Sequence, residues 1–315
     1  MNRNTNTNTN MNMNTDIVEK IKALKIERKA IVLAHHYQIE AIKAVADYVG
    51  DSLELAKIAS ECEAETLILC GVYFMAETAK LLSPDKKVIL PNFEAGCPMA
   101  DMVTAEQLRA EKHKYPNAKV VCYVNSSAEV KAESDICCTS SNAVKIMKSI
   151  ASEQIIFVPD QNLGHYTSKY VPEKEVILWK GFCPTHHRIS MKDIEAIRAQ
   201  YPEAEILVHP ECKPEIVDQA DFVGSTSQII HYAKTSDARV LVIGTEEGVM
   251  ETLKADSPEK KFVLLNAHFT CPNMKKTRLE DVLRVLETGG NEIILKPEIS
   301  QKAYNSIHAM LEASK

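Results

Sequence analysis

Short apolar runs recur along the chain, each framed by segments whose apolar positions return at helical spacing. The clearest pairs are a helix over 105–115 with a strand over 120–124, and a helix over 191–201 with a strand over 206–208. Each run stops at polar residues, and a second helix then begins. Another strand, another helix and a last strand complete the group. Strands alternating with helices at such spacings predict parallel sheets wrapped by helices. In sheets of that kind ligands sit beyond the carboxyl ends of the strands, so chemistry is expected in the polar residues just after each run.

The grouping repeats with a period of about 87 residues. Asp47 in ADYVGDS, Asp135 in SDICCTS and Asp221 in ADFVGST fall in register. So do Pro84 in SPDKKVILP, Pro172 in VPEKEVILW and Pro258 in SPEKKFVLL, each opening an apolar run. The expected fold is therefore α/β, with three structurally equivalent three-layer αβα units on parallel sheets, related by pseudo-threefold symmetry. The units fall at 16–104, 105–190 and 191–276, and 277–315 reads as C-terminal helices and a strand completing the first unit. Residues 1–15 are almost wholly Asn, Thr and Met and read as a disordered tail, since such a stretch buries too little apolar surface to offset its ordering entropy.

A Cys-Pro pair follows each of the three proline-led runs: Cys97 in EAGCPM, Cys183 in KGFCPT and Cys271 in HFTCPN. No other Cys-Pro occurs, although the chain holds 9 cysteines and 13 prolines. Composition sharpens what these thiols mean. The net charge of -6, from 37 basic and 43 acidic side chains, comes with no basic stripe, which argues against a nucleic-acid surface. No apolar run reaches membrane-span length and the N-terminus lacks a secretory pattern, so a cytoplasmic protein with reduced thiols is expected. Three thiolates without a dependable fourth ligand describe either zinc with an open position or a 4Fe-4S cluster with one iron free of cysteine. An iron of that kind suits dehydration chemistry. Cys62, Cys70, Cys122, Cys137, Cys138 and Cys212 share no repeated position and read as packing residues.

The repeat also aligns polar residues. His35, Tyr123 and His209 are equivalent, as are Tyr37, Asn125 and Glu211 two residues later, and Ser52, Ser140 and Thr226 at expected helix starts. Taken singly, His209 is a buried, hydrogen-bonded histidine and the hydroxyls are helix caps. Taken together, positions that keep polarity while changing side chain fit an asymmetric ligand on the pseudo-threefold axis. Hydroxyls at converging helix N-termini also make a site for phosphate.

These residues carry a resemblance that runs from about Asp16 to the end. The segments LAHHYQ at 33–38, GDS at 50–52, GVYFMAE at 71–77, YVNS at 123–126, CTSSNA at 138–143, PDQNLG at 159–164, HPEC at 209–212, GST at 224–226 and GTEEGVM at 244–250, with CPMA, CPTH and CPNMK at the three Cys-Pro sites, resemble the quinolinate synthase family. The resemblance implies condensation of iminoaspartate with dihydroxyacetone phosphate to quinolinate, phosphate and two waters, in de novo NAD biosynthesis. It implies an oxygen-sensitive 4Fe-4S cluster on Cys97, Cys183 and Cys271, and functional coupling to an L-aspartate oxidase. It also implies a substrate cavity lined by His35, Tyr37, Ser52, Tyr123, Asn125, Ser140, His186, His209, Glu211, Ser225 and Thr226. Among these, His35, Tyr37, His209 and Glu211 are the expected acid-base groups, Tyr123 and Asn125 orient carboxylates, and Ser52, Ser140, Ser225 and Thr226 hold phosphate. Some relatives carry a CxxCxxC run at the third cysteine where this chain has HFTCPNM, so no local disulfide switch is expected there. The competing readings are another hydro-lyase with an open iron, and a zinc-binding protein without turnover.

Overall fold

The computed structural model describes residues 5–315, with side chains from residue 15 onward. Three four-stranded sheets form, every strand pair parallel. In the first unit the strands are β1 (Ala30–His35), β2 (Tyr48–Gly50), β3 (Thr66–Cys70) and β4 (Lys87–Ile89). The second has β5 (Lys119–Tyr123), β6 (Ile136–Cys138), β7 (Gln154–Val158) and β8 (Glu175–Leu178). The third has β9 (Glu205–Val208), β10 (Phe222–Val223), β11 (Val240–Gly244) and β12 (Lys261–Leu264). The spatial order is the same in each, β2-β1-β3-β4, β6-β5-β7-β8 and β10-β9-β11-β12. The chain is thus α/β with three αβα units.

The central strands are apolar because helices cover both faces. Val120, Val121, Ile155, Ile156, Ile206, Leu207, Leu241 and Val242 are completely buried, and each such side chain contributes about 1.5–3 kcal/mol by leaving water. One core cluster joins the first and second units and reaches the third; two smaller ones lie under the outer helices of the first and third.

The repeated landmarks have structural work. The Asp47, Asp135 and Asp221 carboxylates accept the backbone N–H of Val32, Val120 and Ile206 at 2.7, 2.8 and 2.7 Å. Their own amides donate back to the carbonyls of the same three residues. Each Asp thereby pins the entry to the second strand against the first. Lys86, Lys174 and Lys260, two residues after the landmark prolines, donate to carbonyls closing the helices Ser52–Glu61, Ala143–Ser149 and Thr226–Thr235. A cation there satisfies unpaired carbonyls and favours the negative end of the helix dipole.

Two elements depart from expectation at the ends of the chain. Residues 1–4 of the expected tail lie outside the described residues, and from Thr5 the chain is in a helix, Thr5–Glu27. The tract from residue 5 holds no Gly or Pro to stop a helix propagating back from Asp16. At the other end, only part of 277–315 joins the first unit. The helix Leu279–Thr288 packs through Val282, Val285 and Leu286 beside Ile21 on the first sheet, and Ile293 donates to Val88 at the edge of β4. The last helix, Pro297–Ala313, packs on the helix Tyr73–Leu82 of the first unit but mainly on the second, where Ser306 donates to the Lys131 carbonyl and contacts Cys137 at 3.4 Å. Its apolar stripe of Ala303, Ile307 and Met310 belongs to the core that joins the first two units.

The pinning role of the repeated aspartate is testable. Asp135→Ala should leave the Val120 amide unpaired and lower stability by about 1 kcal/mol in urea unfolding. An unmoved unfolding midpoint would show that the repeated aspartate does not secure the strand.

Candidate active site

The carboxyl ends of β1, β5 and β9 face one cavity of about 150 Å³. Its walls include Cys97, Cys183 and Cys271, the axis residues His35, Tyr123 and His209, the next ring of Tyr37, Asn125 and Glu211, and Ser52, Ser140, His186 and Thr226. Every sequence-derived site residue except Ser225 lines it. Ser225 instead accepts from the amide of Gln228 and caps the helix Thr226–Thr235.

That exception explains how the hydroxyls are presented. The caps are Asp51 and Ser225, each in a reciprocal capping box, with Glu54 and with Gln228. Ser52 and Thr226, one residue further on, are therefore relieved of capping and face the cavity. In the second unit the helix begins only at Ala143, so Ser140 lies in the preceding turn, where Asn142 accepts from the Thr139 amide at 2.7 Å. The caps also lace the units together, since the Ser141 hydroxyl lies 2.8 Å from both the Asp51 carboxylate and the Ser225 oxygen.

The ring nitrogens and phenols have assigned directions. The Tyr37 amide donates to His35 Nδ1 at 3.1 Å, and the Glu211 amide donates to His209 Nδ1 at 3.3 Å, the same device in two units. Burial takes His35 well below its ordinary value and His209 down to about 3, so both rings are neutral near pH 7. With Nδ1 accepting, each neutral ring carries its proton on Nε2; that of His209 lies 3.2 Å from the Ser140 hydroxyl. Burial, reinforced by Glu211, raises Tyr37 and Tyr123 well above the usual phenol value, so both remain donors. Glu211 is the acceptor they surround. Burial works against its charge, yet the His209 and His186 rings and hydrogen bonds from His186 and Tyr123 bring it down to about 2. Its oxygens take the Tyr123 hydroxyl at 2.8 Å and His186 Nδ1 at 2.7 Å. The Oδ1 atom of Asn125 is buried without a protein partner, as expected of a group reserved for a ligand.

The three cysteine loops are built alike. Three residues past the third strand of each unit, the amides of Tyr73, Gln161 and Glu247 donate to Ala95, Gly181 and Phe269, each at 2.8 Å, and fix the approach to the cysteine. Proline after each cysteine removes one N–H and sets φ. The next amides then turn back onto sulfur: Met99 and Ala100 for Cys97, His186 for Cys183, Asn273 and Met274 for Cys271. Burial pushes Cys97 up to about 12 from an ordinary 9.0 and raises Cys183 and Cys271 as well. Thiols so disfavoured as anions, yet offered N–H groups at sulfur, fit a site whose charge comes from a bound metal. Cys183, His186 and Glu211 additionally place one ligand atom each within 4.8 Å of one another.

Residues that do not recur in all three units escaped the sequence reading. Buried Asp160 and Glu246 accept the amides of Cys183 and Cys271 at 3.1 and 3.0 Å, whereas the first unit has Val72 at that position. Thr245 bridges Tyr37 and His186. Gly248 lies so close to the first unit that a Cβ there would stand 2.7 Å from the Tyr37 Cα. Arg188, at the cavity margin, donates to the carbonyls of Pro184 and His268. The segments PDQNLG and GTEEGVM held four of these five residues, but nothing in their spacing marked a role.

Fold and cavity together define a three-unit α/β enzyme whose one active site is shared among its units. The sequence profile of the quinolinate synthetase A protein family matches residues 19–312. The quinolinate synthase of Alkaliphilus metalliredigens is 56% identical over 298 residues, 95% of this chain and 98% of the relative. That of Clostridium kluyveri is 52% identical over 295 residues, 94% and 97% of the two chains, and that of Aquifex aeolicus 46% over 304 residues, 95% and 94%. The chain belongs to the quinolinate synthase family.

The electrostatics give a pH expectation. A histidine base whose value is lowered stays deprotonated until the pH nears that lowered value, and Glu211 stays ionised over the same range. Neither His35 nor His209 should therefore give an acid limb in turnover at the ordinary histidine value as pH falls from about 8 to about 6. A limb near that value that His209→Asn removes would contradict the neutral assignment.

Proposed function

We propose that the chain condenses iminoaspartate with dihydroxyacetone phosphate to quinolinate, phosphate and two waters, as a step of NAD biosynthesis, with a 4Fe-4S cluster on Cys97, Cys183 and Cys271. The observation that carries this reading is one cavity joining three thiols from three units to neutral donors and helix N-termini, with no lysine among its described walls. With Arg188 at the margin turned to the Pro184 and His268 carbonyls, such a wall suits small anions held chiefly by hydrogen bonds. When bound, a cluster held by three thiolates supplies a Lewis-acidic iron with an open position, suited to loss of a hydroxyl as water.

The chain's own groups divide the remaining work. Ser52 and Thr226, at the first positions of two ten-residue helices, hold the phosphate with the backbone N–H groups around them, and Ser140 completes the set. Asn125 and the Nε2–H groups of His35 and His209 orient the carboxylates of iminoaspartate, with the Tyr123 hydroxyl beside them. Ionised Glu211 takes a proton from carbon or nitrogen as the new bonds form, held in place by Tyr123 and His186. The Tyr37 hydroxyl is the nearest neutral donor to the phosphate end, 2.8 Å from Thr226.

A second reading rests on the close set of Cys183, His186 and Glu211, which could hold a single metal ion. It leaves Cys97 and Cys271 without a function on the same wall. Product analysis after anaerobic turnover tests the main reading, which requires quinolinate and equimolar phosphate. Thr226→Val should raise KM for dihydroxyacetone phosphate roughly tenfold and leave KM for iminoaspartate nearly unchanged. Equal effects on both substrates would displace Thr226 from the phosphate.

A further inference from the structure

Thr245 stands directly after β11 and is completely buried. Its equivalents in the other units are Gly71 and Pro159, so the repeated fold does not call for a hydroxyl there. Its Oγ1 lies 2.7 Å from the Tyr37 hydroxyl and 3.0 Å from His186 Nε2. Tyr37 is also 2.8 Å from Thr226, and His186 Nδ1 is 2.7 Å from Glu211. One row of hydrogen bonds thus runs from Thr226 through Tyr37, Thr245 and His186 to Glu211, with members from all three units.

A carboxylate only accepts, so Glu211 takes the proton on His186 Nδ1; the other neighbour of that nitrogen, the Cys183 sulfur, is more distant at 3.2 Å. The far side of the ring is held by Thr245, whose single hydroxyl stands between His186 Nε2 and the Tyr37 hydroxyl and bonds to both.

We propose that Thr245 is a positioning residue for this active site, its hydroxyl holding the His186 ring against Glu211 and the Tyr37 hydroxyl beside Thr226. The inference rests on the quinolinate synthase reading of the cavity. It predicts that loss of the hydroxyl slows chemistry with little effect on binding, because no substrate atom is held by Thr245 itself. The competing account is that Thr245 merely fills space with its methyl group.

Valine and serine separate the two. Thr245→Val keeps shape and methyl but loses the hydroxyl, while Thr245→Ser keeps the hydroxyl and loses the methyl. On anaerobically purified enzyme carrying its iron, Thr245→Val should lower kcat roughly a hundredfold, the scale expected when a reacting group is misplaced, with KM for both substrates within about twofold. Thr245→Ser should keep kcat within roughly threefold of the parent. Melting of the same samples should show Thr245→Val as the less stable variant, since it leaves the buried His186 Nε2 unpaired. Loss of activity in Thr245→Ser with retention in Thr245→Val, equal losses in both, or no loss in either would each overturn the proposal. A parent enzyme that forms no quinolinate would instead overturn the reading of the cavity, and the inference with it.

Discussion

Three sulfur atoms carried by three separate sheets must reach one small cavity, and the rest of the molecule follows from that requirement. A strand ends in a fixed direction, so each unit has to present its carboxyl edge to the same point. The equal order of strands in the three sheets does this. The Cys-Pro turns then need a constant approach, given by the three matched 2.8 Å hydrogen bonds that precede them. Asp47, Asp135 and Asp221 keep the first two strands of each unit in register, so the residues after β1, β5 and β9 arrive at the cavity at the same depth.

Symmetry brings the side chains together, and its breaking gives them distinct tasks. The axis positions hold two neutral imidazoles and a phenol, and the following positions a phenol, an amide and a carboxylate. Only Glu211 carries charge among these six, and it is satisfied by Tyr123 and His186. Fixed dipoles in a cavity of this composition would hold the proposed anionic substrates without the desolvation cost of a lysine. Asymmetry extends to the cysteine loops, since Asp160 and Glu246 hold the second and third while Val72 stands at that place in the first.

Much of this was legible because the chain repeats. Comparing His35 with Tyr123 and His209 separates positions needed for folding from positions needed for a ligand, and all three face the cavity. Where a role belongs to one unit alone, the comparison is silent. Thr245 aligns with Gly71 and Pro159, and Gly248 matters only because the backbone of Tyr37 lies against it. Hydroxyl direction was equally hidden: spacing brought Ser225 and Thr226 together, but capping turned the first toward its own helix and released the second. The final helix crossed to the second unit because its apolar stripe matches a core that no local pattern identifies.

The central claim is that Cys97, Cys183 and Cys271 hold one cluster together. Iron and sulfide content with visible absorption, measured on anaerobically purified protein and on single Cys→Ser variants, tests it most directly. The account predicts a brown protein with about four irons and four sulfides per chain, lost on substitution of any of the three and retained in Cys62→Ser. A colourless protein holding zinc, or a cluster that survives removal of one of the three cysteines, would contradict it.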